Sequence, residues 1–95
     1  MLIKNVVEDH VAASYDVMRA HYPDFCGCDI CRGDVLVYAL NRIPARYVGT
    51  LEGSVVTEFI LDKDQSRASI DVTLMDGFRK IARAPRCGKK PGSSA

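Results

Sequence analysis

Three cysteines stand within six residues, Cys26, Cys28 and Cys31, in the pattern C-x-C-x-x-C, and Cys87 follows 56 residues after the last of them. Thiolates are preferred zinc ligands, and a structural site takes four of them in a tetrahedron at about 2.3 Å. Close cysteines on a loop supply two or three corners, and Gly27 gives that loop the freedom to turn tightly. A remote fourth corner ties the far end of the chain to the loop, so the binding free energy counts toward folding. The role expected of the metal is architectural, because four thiolates leave no coordination position for a substrate.

The same residues admit two other readings. Unligated thiols are one, although three of them on a single exposed loop is an odd arrangement. Redox chemistry by Cys28 and Cys31 is the other, since C-x-x-C at a helix start lowers a thiol pKa. Thioredoxin-like enzymes, however, carry that motif after a strand in a βαβ unit, which this pattern lacks. His21 is a reserve ligand should Cys87 lie too far away, and His10 shows no ligand spacing with it. There is no Gly-rich phosphate loop, no Ser-His-Asp set and no H-E-x-x-H. The acids are scattered, and no enzymatic activity is expected.

Helices must position these cysteines. Asn5, followed three residues on by Glu8, forms a capping-box-like start, after which Val7, Val11, Tyr15, Met18 and Tyr22 recur at helical steps. A first helix is expected over 5–21, stopped before Pro23. The cysteine loop follows, with Asp29 available to cap a second helix over 30–43 that carries Leu36, Val37, Leu40 and Ile43. Pro44 ends it, and VGTLEGS reads as a turn or loop. Residues 55–61 are β-branched, but a strand needs a partner, so a short helix is expected. Ile70, Leu74, Phe78 and Ile81 predict a third long helix over 66–84, capped by Asp64 or Ser66 and stopped by Pro85. The sum is a small all-α, zinc-stabilised domain of three main helices plus a short connecting segment. Residues 1–88 form the domain, and 89–95, rich in Gly, Ser and Lys, are expected to be a disordered tail.

The chain has 95 residues, 47% hydrophobic and 26% charged, enough for one compact domain. Such a chain buries only about 65% of its unfolded surface, so a modest core gains from a metal or a partner subunit. No apolar run reaches membrane-spanning length, and Glu8, Asp9 and His10 interrupt the place where a signal peptide needs its apolar stretch. A cytoplasmic, reducing location is expected, where cysteines serve as ligands or free thiols rather than disulfides. The net charge of +1 is unevenly spread. From Gly77 onward Arg79, Lys80, Arg83, Arg86, Lys89 and Lys90 face no acid, while the first 76 residues set the other seven basic side chains against all twelve acids. Such a terminus either complements a helix dipole or attracts phosphate-rich partners.

The segments NVVEDHV and FCGCDICRGDVLVYALNRIPARYV, then a helix running into a proline and a late cysteine, resemble the late competence development protein family, ComFB. The resemblance covers roughly residues 3–87. It is carried by Cys26, Cys28 and Cys31 with Asp34, Val35, Ala39, Leu40, Asn41, Pro44 and Tyr47. It implies a small helical homodimer that binds zinc through cysteines, here Cys26, Cys28, Cys31 and Cys87, without enzymatic activity. Some members of the family are cyclic dinucleotide receptors, which suggests cyclic di-GMP or cyclic di-AMP as a ligand. A two-fold dimer can take one such molecule across its axis with the same side chains from each subunit. Arg32, Asp34, Arg42, Arg46 and Tyr47 flank the second helix and offer a phosphate fork, a carboxylate for guanine and a ring for stacking. The alternative is a competence-associated accessory protein that binds nucleic acid or a protein partner through its basic C-terminus. Tyr15, Met18, Val35 and Phe59 are the apolar residues expected to be left uncovered by three helices and available to a dimer surface.

Overall fold

The computed structural model describes residues 3–87. Four helices follow in order: α1 (Val6–Arg19), α2 (Asp29–Leu40), α3 (Leu51–Leu61) and α4 (Asp64–Arg83). Two short strands, β1 (Lys4–Asn5) and β2 (Tyr47–Val48), pair antiparallel with Lys4 opposite Val48 and Asn5 opposite Tyr47. The fold is thus mostly helical, as expected. The strand pair was not anticipated, because two residues are too few for an alternating pattern.

Helical spacing places one face of each long helix in a single core. Val7, Val11 and Tyr15 of α1, Cys31, Val35 and Ala39 of α2, and Ile70, Leu74 and Phe78 of α4 are all buried, each set at steps of four. Each fully buried large side chain contributes about 1.5–3 kcal/mol of hydrophobic free energy. Around Phe78 the aromatic residues gather: Tyr15 and Tyr22 stack on it at 5.0 and 4.5 Å between centroids, and Phe25 meets it edge-on at 4.9 Å. Gly77 lets α4 approach α2, since a Cβ there would lie 3.2 Å from Tyr38 Cδ1 and 3.3 Å from Val35 Cγ1.

The ends of the helices correct several expectations. Asn5 does cap α1, its side-chain oxygen accepting from Val7 N at 3.2 Å. The same oxygen accepts from Arg46 N at 2.9 Å, which fastens β2 to the helix start. α1 ends at Arg19, short of residue 21. α2 ends at Leu40, not Ile43, and its N-cap is Cys28 rather than Asp29, which is its first residue. α4 starts at Asp64, with Lys63 at the cap position and no side-chain cap bond.

The largest correction is α3. Of the VGTLEGS stretch only Gly49 and Thr50 turn as a loop would, because Thr50 caps a helix that starts at Leu51 by accepting from Gly53 N at 3.0 Å. The short helix expected over 55–61 is there, starting four residues earlier as α3, so the described residues hold three main helices and this shorter one. Of the apolar residues expected at an uncovered surface, Tyr15 and Val35 are buried, Met18 is half-buried, and Phe59 is exposed. Leu51, Val55 and Val56 join Phe59 on the exposed side of α3. No helix among the described residues is long and apolar enough to cross a membrane.

Candidate metal centre

The loop between α1 and α2 takes its shape from Arg19. Its guanidinium donates to the Tyr22 carbonyl at 3.0 Å and the Phe25 carbonyl at 2.7 Å, gathering 22–25 under the end of α1. Gly27 then turns with φ +68°, the left-handed region that disfavours a side chain. A Cβ at that position would also fall 2.6 Å from Arg19 Nε. Behind this turn Cys28 enters α2 as its N-cap, with Sγ accepting from Cys31 N at 3.4 Å.

Cys31 lies fully buried one turn into α2, between the loop and the core. Cys26, Cys28 and Cys87 are half-buried and pack against that core. Cys87 reaches them from past the end of α4, through Pro85 and Arg86, and Arg86 forks onto Asp34 of α2 with two hydrogen bonds of 3.1 Å. The sulfurs of Cys26 and Cys87 lie 3.8 Å apart and those of Cys31 and Cys87 3.4 Å apart. All four sulfurs fall within 4.8 Å of one another. A tetrahedron with metal–sulfur bonds of about 2.3 Å has sulfur–sulfur edges of about 3.8 Å. The donor set and its spacing fit a metal ion held by Cys26, Cys28, Cys31 and Cys87.

The electrostatics of the thiols differ with their depth. The Cys31 backbone N–H at the start of α2 holds the Cys28 thiol well below its usual value of 9, to about 6, and hydrogen bonds from the neighbouring thiols act the same way. Burial pushes the Cys31 thiol in the opposite direction, above its usual value. One thiolate is therefore already favoured at neutral pH, a start for capturing a cation that displaces the remaining protons. His21 is not at this cluster. It faces a groove shared with His10, Asp62 and Arg67.

The five residues proposed for a ligand divide into two places. Arg32 lies 5.4 Å over the Tyr15 ring and 3.6 Å from Asp16, and Asp34 is taken up by Arg86. Both sit near the cysteine loop. Arg42, Arg46 and Tyr47 lie beyond the other end of α2, whose 12 residues span roughly 18 Å. Arg42 is exposed and rests 3.6 Å over the Tyr38 ring. Arg46 and Tyr47 are exposed, their backbone held by the cap of α1 and by β1. Of the basic terminus, Arg79, Lys80 and Arg83 lie on α4, and Lys89 and Lys90 lie outside the described residues. The sequence reading missed Arg19, the organiser of the loop, and the pairing of Asp34 with Arg86. No spacing rule joins residues 52 positions apart.

Comparison with known proteins agrees with this architecture. The family model described as late competence development protein ComFB matches residues 4–85. The solved structure of the late competence protein ComFB from Bacillus subtilis superposes with a TM-score of 0.82 at 23% identity, covering 94% of this chain and 100% of that one. At that identity the likeness speaks for the fold. No curated protein sequence matches the chain significantly.

Proposed function

Since this chain belongs to the late competence development protein ComFB family, we propose that it is a competence-related regulatory binding module, stabilised by structural zinc and without catalytic activity. The observation that carries the metal part is the cluster of four sulfurs within 4.8 Å, drawn from both ends of the domain. Zinc there would cross-link the α1–α2 loop to the segment after α4 and supply folding free energy. With Cys26, Cys28, Cys31 and Cys87 all as ligands, the ion has no open position for a substrate, and function falls to the surfaces that the fold presents.

The module acts as a homodimer. Leu51, Val55 and Phe59 repeat at steps of four along α3 and are all exposed, an apolar ridge suited to packing against its own copy around a two-fold axis. A cyclic dinucleotide is the ligand class favoured by Arg42, Arg46 and Tyr47, which all lie past the end of α2 and are exposed. In this reading each subunit supplies one arginine fork and one ring to half of the ligand.

Native mass spectrometry of the full chain, purified under reducing conditions, tests each part. The expected species is a dimer with one zinc per subunit that gains one cyclic di-GMP or cyclic di-AMP per dimer. Cys31→Ser loses the zinc, Phe59→Asp gives zinc-loaded monomer, and Arg46→Ala keeps zinc and dimer but loses the nucleotide. A metal-free wild-type protein whose melting temperature ignores chelator overturns the metal reading. A zinc-loaded dimer indifferent to both nucleotides overturns the receptor reading alone.

A further inference from the structure

The α2–α4 face carries a second arrangement that the metal centre does not use. Tyr38, Asp76, Arg79, Lys80 and Arg83 line an open cleft of about 490 Å³. The Tyr38 ring is pressed against α4 at Gly77. The guanidinium carbon of Arg42 lies 3.6 Å from the centre of this ring, and Arg42 donates to the Tyr38 carbonyl at 3.0 Å, while Lys80 Nζ stands 5.9 Å from the same ring centre. Asp76 is the one acid lining the cleft, and it is paired with Arg79. Among the described residues no carboxylate lies within salt-bridge distance of Arg42, Lys80 or Arg83.

Complementing a helix dipole accounts for cations in the last turn of α4, such as Lys80 and Arg83. It does not account for the aromatic ring of Tyr38, which stands within cation–π distance of both Arg42 and Lys80. A guanidinium resting against an aromatic ring makes a stacking platform, and Lys80 and Arg83, which line the cleft with that ring, can hold phosphates. Phosphate contacts next to a stacking platform are what a single strand needs, since its bases are unpaired and their faces free.

From this geometry we infer that the cleft binds single-stranded nucleic acid, with backbone phosphates on Lys80 and Arg83 and a base stacked on the Arg42–Tyr38 pair. The site is separate from the cysteine cluster; it shares Arg42 with the dinucleotide reading, whereas Lys80 and Arg83 play no part in that reading. Binding is non-specific in sequence, because stacking accepts any base and phosphates carry no sequence information.

The test uses zinc-loaded full-length protein and fluorescence anisotropy of a labelled oligothymidine strand, against a duplex of the same length, between about 50 and 200 mM salt. Wild type is expected to prefer the single strand, with affinity falling as salt rises. Lys80→Ala with Arg83→Ala weakens single-strand binding at least about tenfold and lowers the salt slope by roughly one per cation removed. Arg42→Lys keeps the charge but loses the plane, so it weakens the single strand and leaves the duplex unchanged. Arg67→Ala, in the groove with His10 and His21, changes neither. Absence of binding by wild type, full affinity in the Lys80 and Arg83 double variant, or equal loss on single strand and duplex from Arg42→Lys each overturns the proposal.

Discussion

Arg86 grips Asp34 with two hydrogen bonds of 3.1 Å across 52 residues of sequence, Nε on one carboxylate oxygen and a terminal nitrogen on the other. Asp34 stands three residues after Cys31, and Arg86 one before Cys87. The pair therefore fastens the segment after α4 beside the loop that carries the other three sulfurs. Because Arg86 is largely exposed, the contribution is modest. Arg86→Ala is expected to keep the fold and its zinc but to release the metal more readily, with an affinity about two- to fivefold lower by chelator competition. An unchanged affinity would show that the backbone around Pro85 positions Cys87 unaided.

The metal-free protein is expected to show a hierarchy among the thiols. In chelator-treated protein at pH 7, limiting iodoacetamide is expected to label Cys28 first and Cys31 last, because the helix start favours the Cys28 thiolate and burial disfavours that of Cys31. The preference for Cys28 should fade as pH falls through about 6, where its thiolate takes up a proton. Zinc-loaded protein should resist labelling at all four positions. Peptide mapping by mass spectrometry reads each site.

Gly27→Ala places a side chain in left-handed backbone and drives its Cβ toward Arg19 Nε. Strain of that kind costs about 1–3 kcal/mol, and here it also loosens the two carbonyl bonds that Arg19 makes to the loop. Thermal unfolding should show a lowered midpoint together with weakened zinc retention. Combined with Arg19→Ala the loss should be less than additive, since the two residues act on one loop.

Tyr15 is buried against Phe78, yet among the described residues its hydroxyl has no hydrogen-bond partner. Tyr15→Phe keeps the ring packing and is expected to stabilise the protein by about 1 kcal/mol in chemical denaturation, or at least to leave it unweakened. Burial also raises the Tyr15 pKa above its ordinary 10. The folded state then holds this proton more tightly than the unfolded chain, so its contribution is present below pH 10 and lost as pH rises beyond. Between neutrality and about pH 11 the variant should lose less stability than wild type. A larger alkaline loss in Tyr15→Phe would contradict this account.

Much of the fold was legible because helical periodicity is a local property. Val7, Val11 and Tyr15, like Ile70, Leu74 and Phe78, announce their face by spacing alone, and prolines mark where helices stop. α3 was read too short, because Gly49 and Gly53 suggest a loop whereas the Thr50 cap tolerates a glycine in the first turn. Phe59 and Tyr15 look equally apolar in sequence. Only packing buries one and leaves the other exposed.

The cysteine types and the C-x-C-x-x-C spacing were enough to nominate a soft-metal site, since ligand preference and loop reach are set by residue chemistry over a few positions. Whether Cys87 joins them was decided by tertiary structure. Its approach depends on α4 packing across α2 at Gly77, on Pro85 ending the helix, and on Arg86 meeting Asp34. The cleft around Tyr38 belongs to the same class of facts, because Arg42 and Lys80 converge only after two helices have packed. Short-range chemistry and periodicity are written in the order of the residues, whereas contacts between distant residues depend on how helix faces interlock.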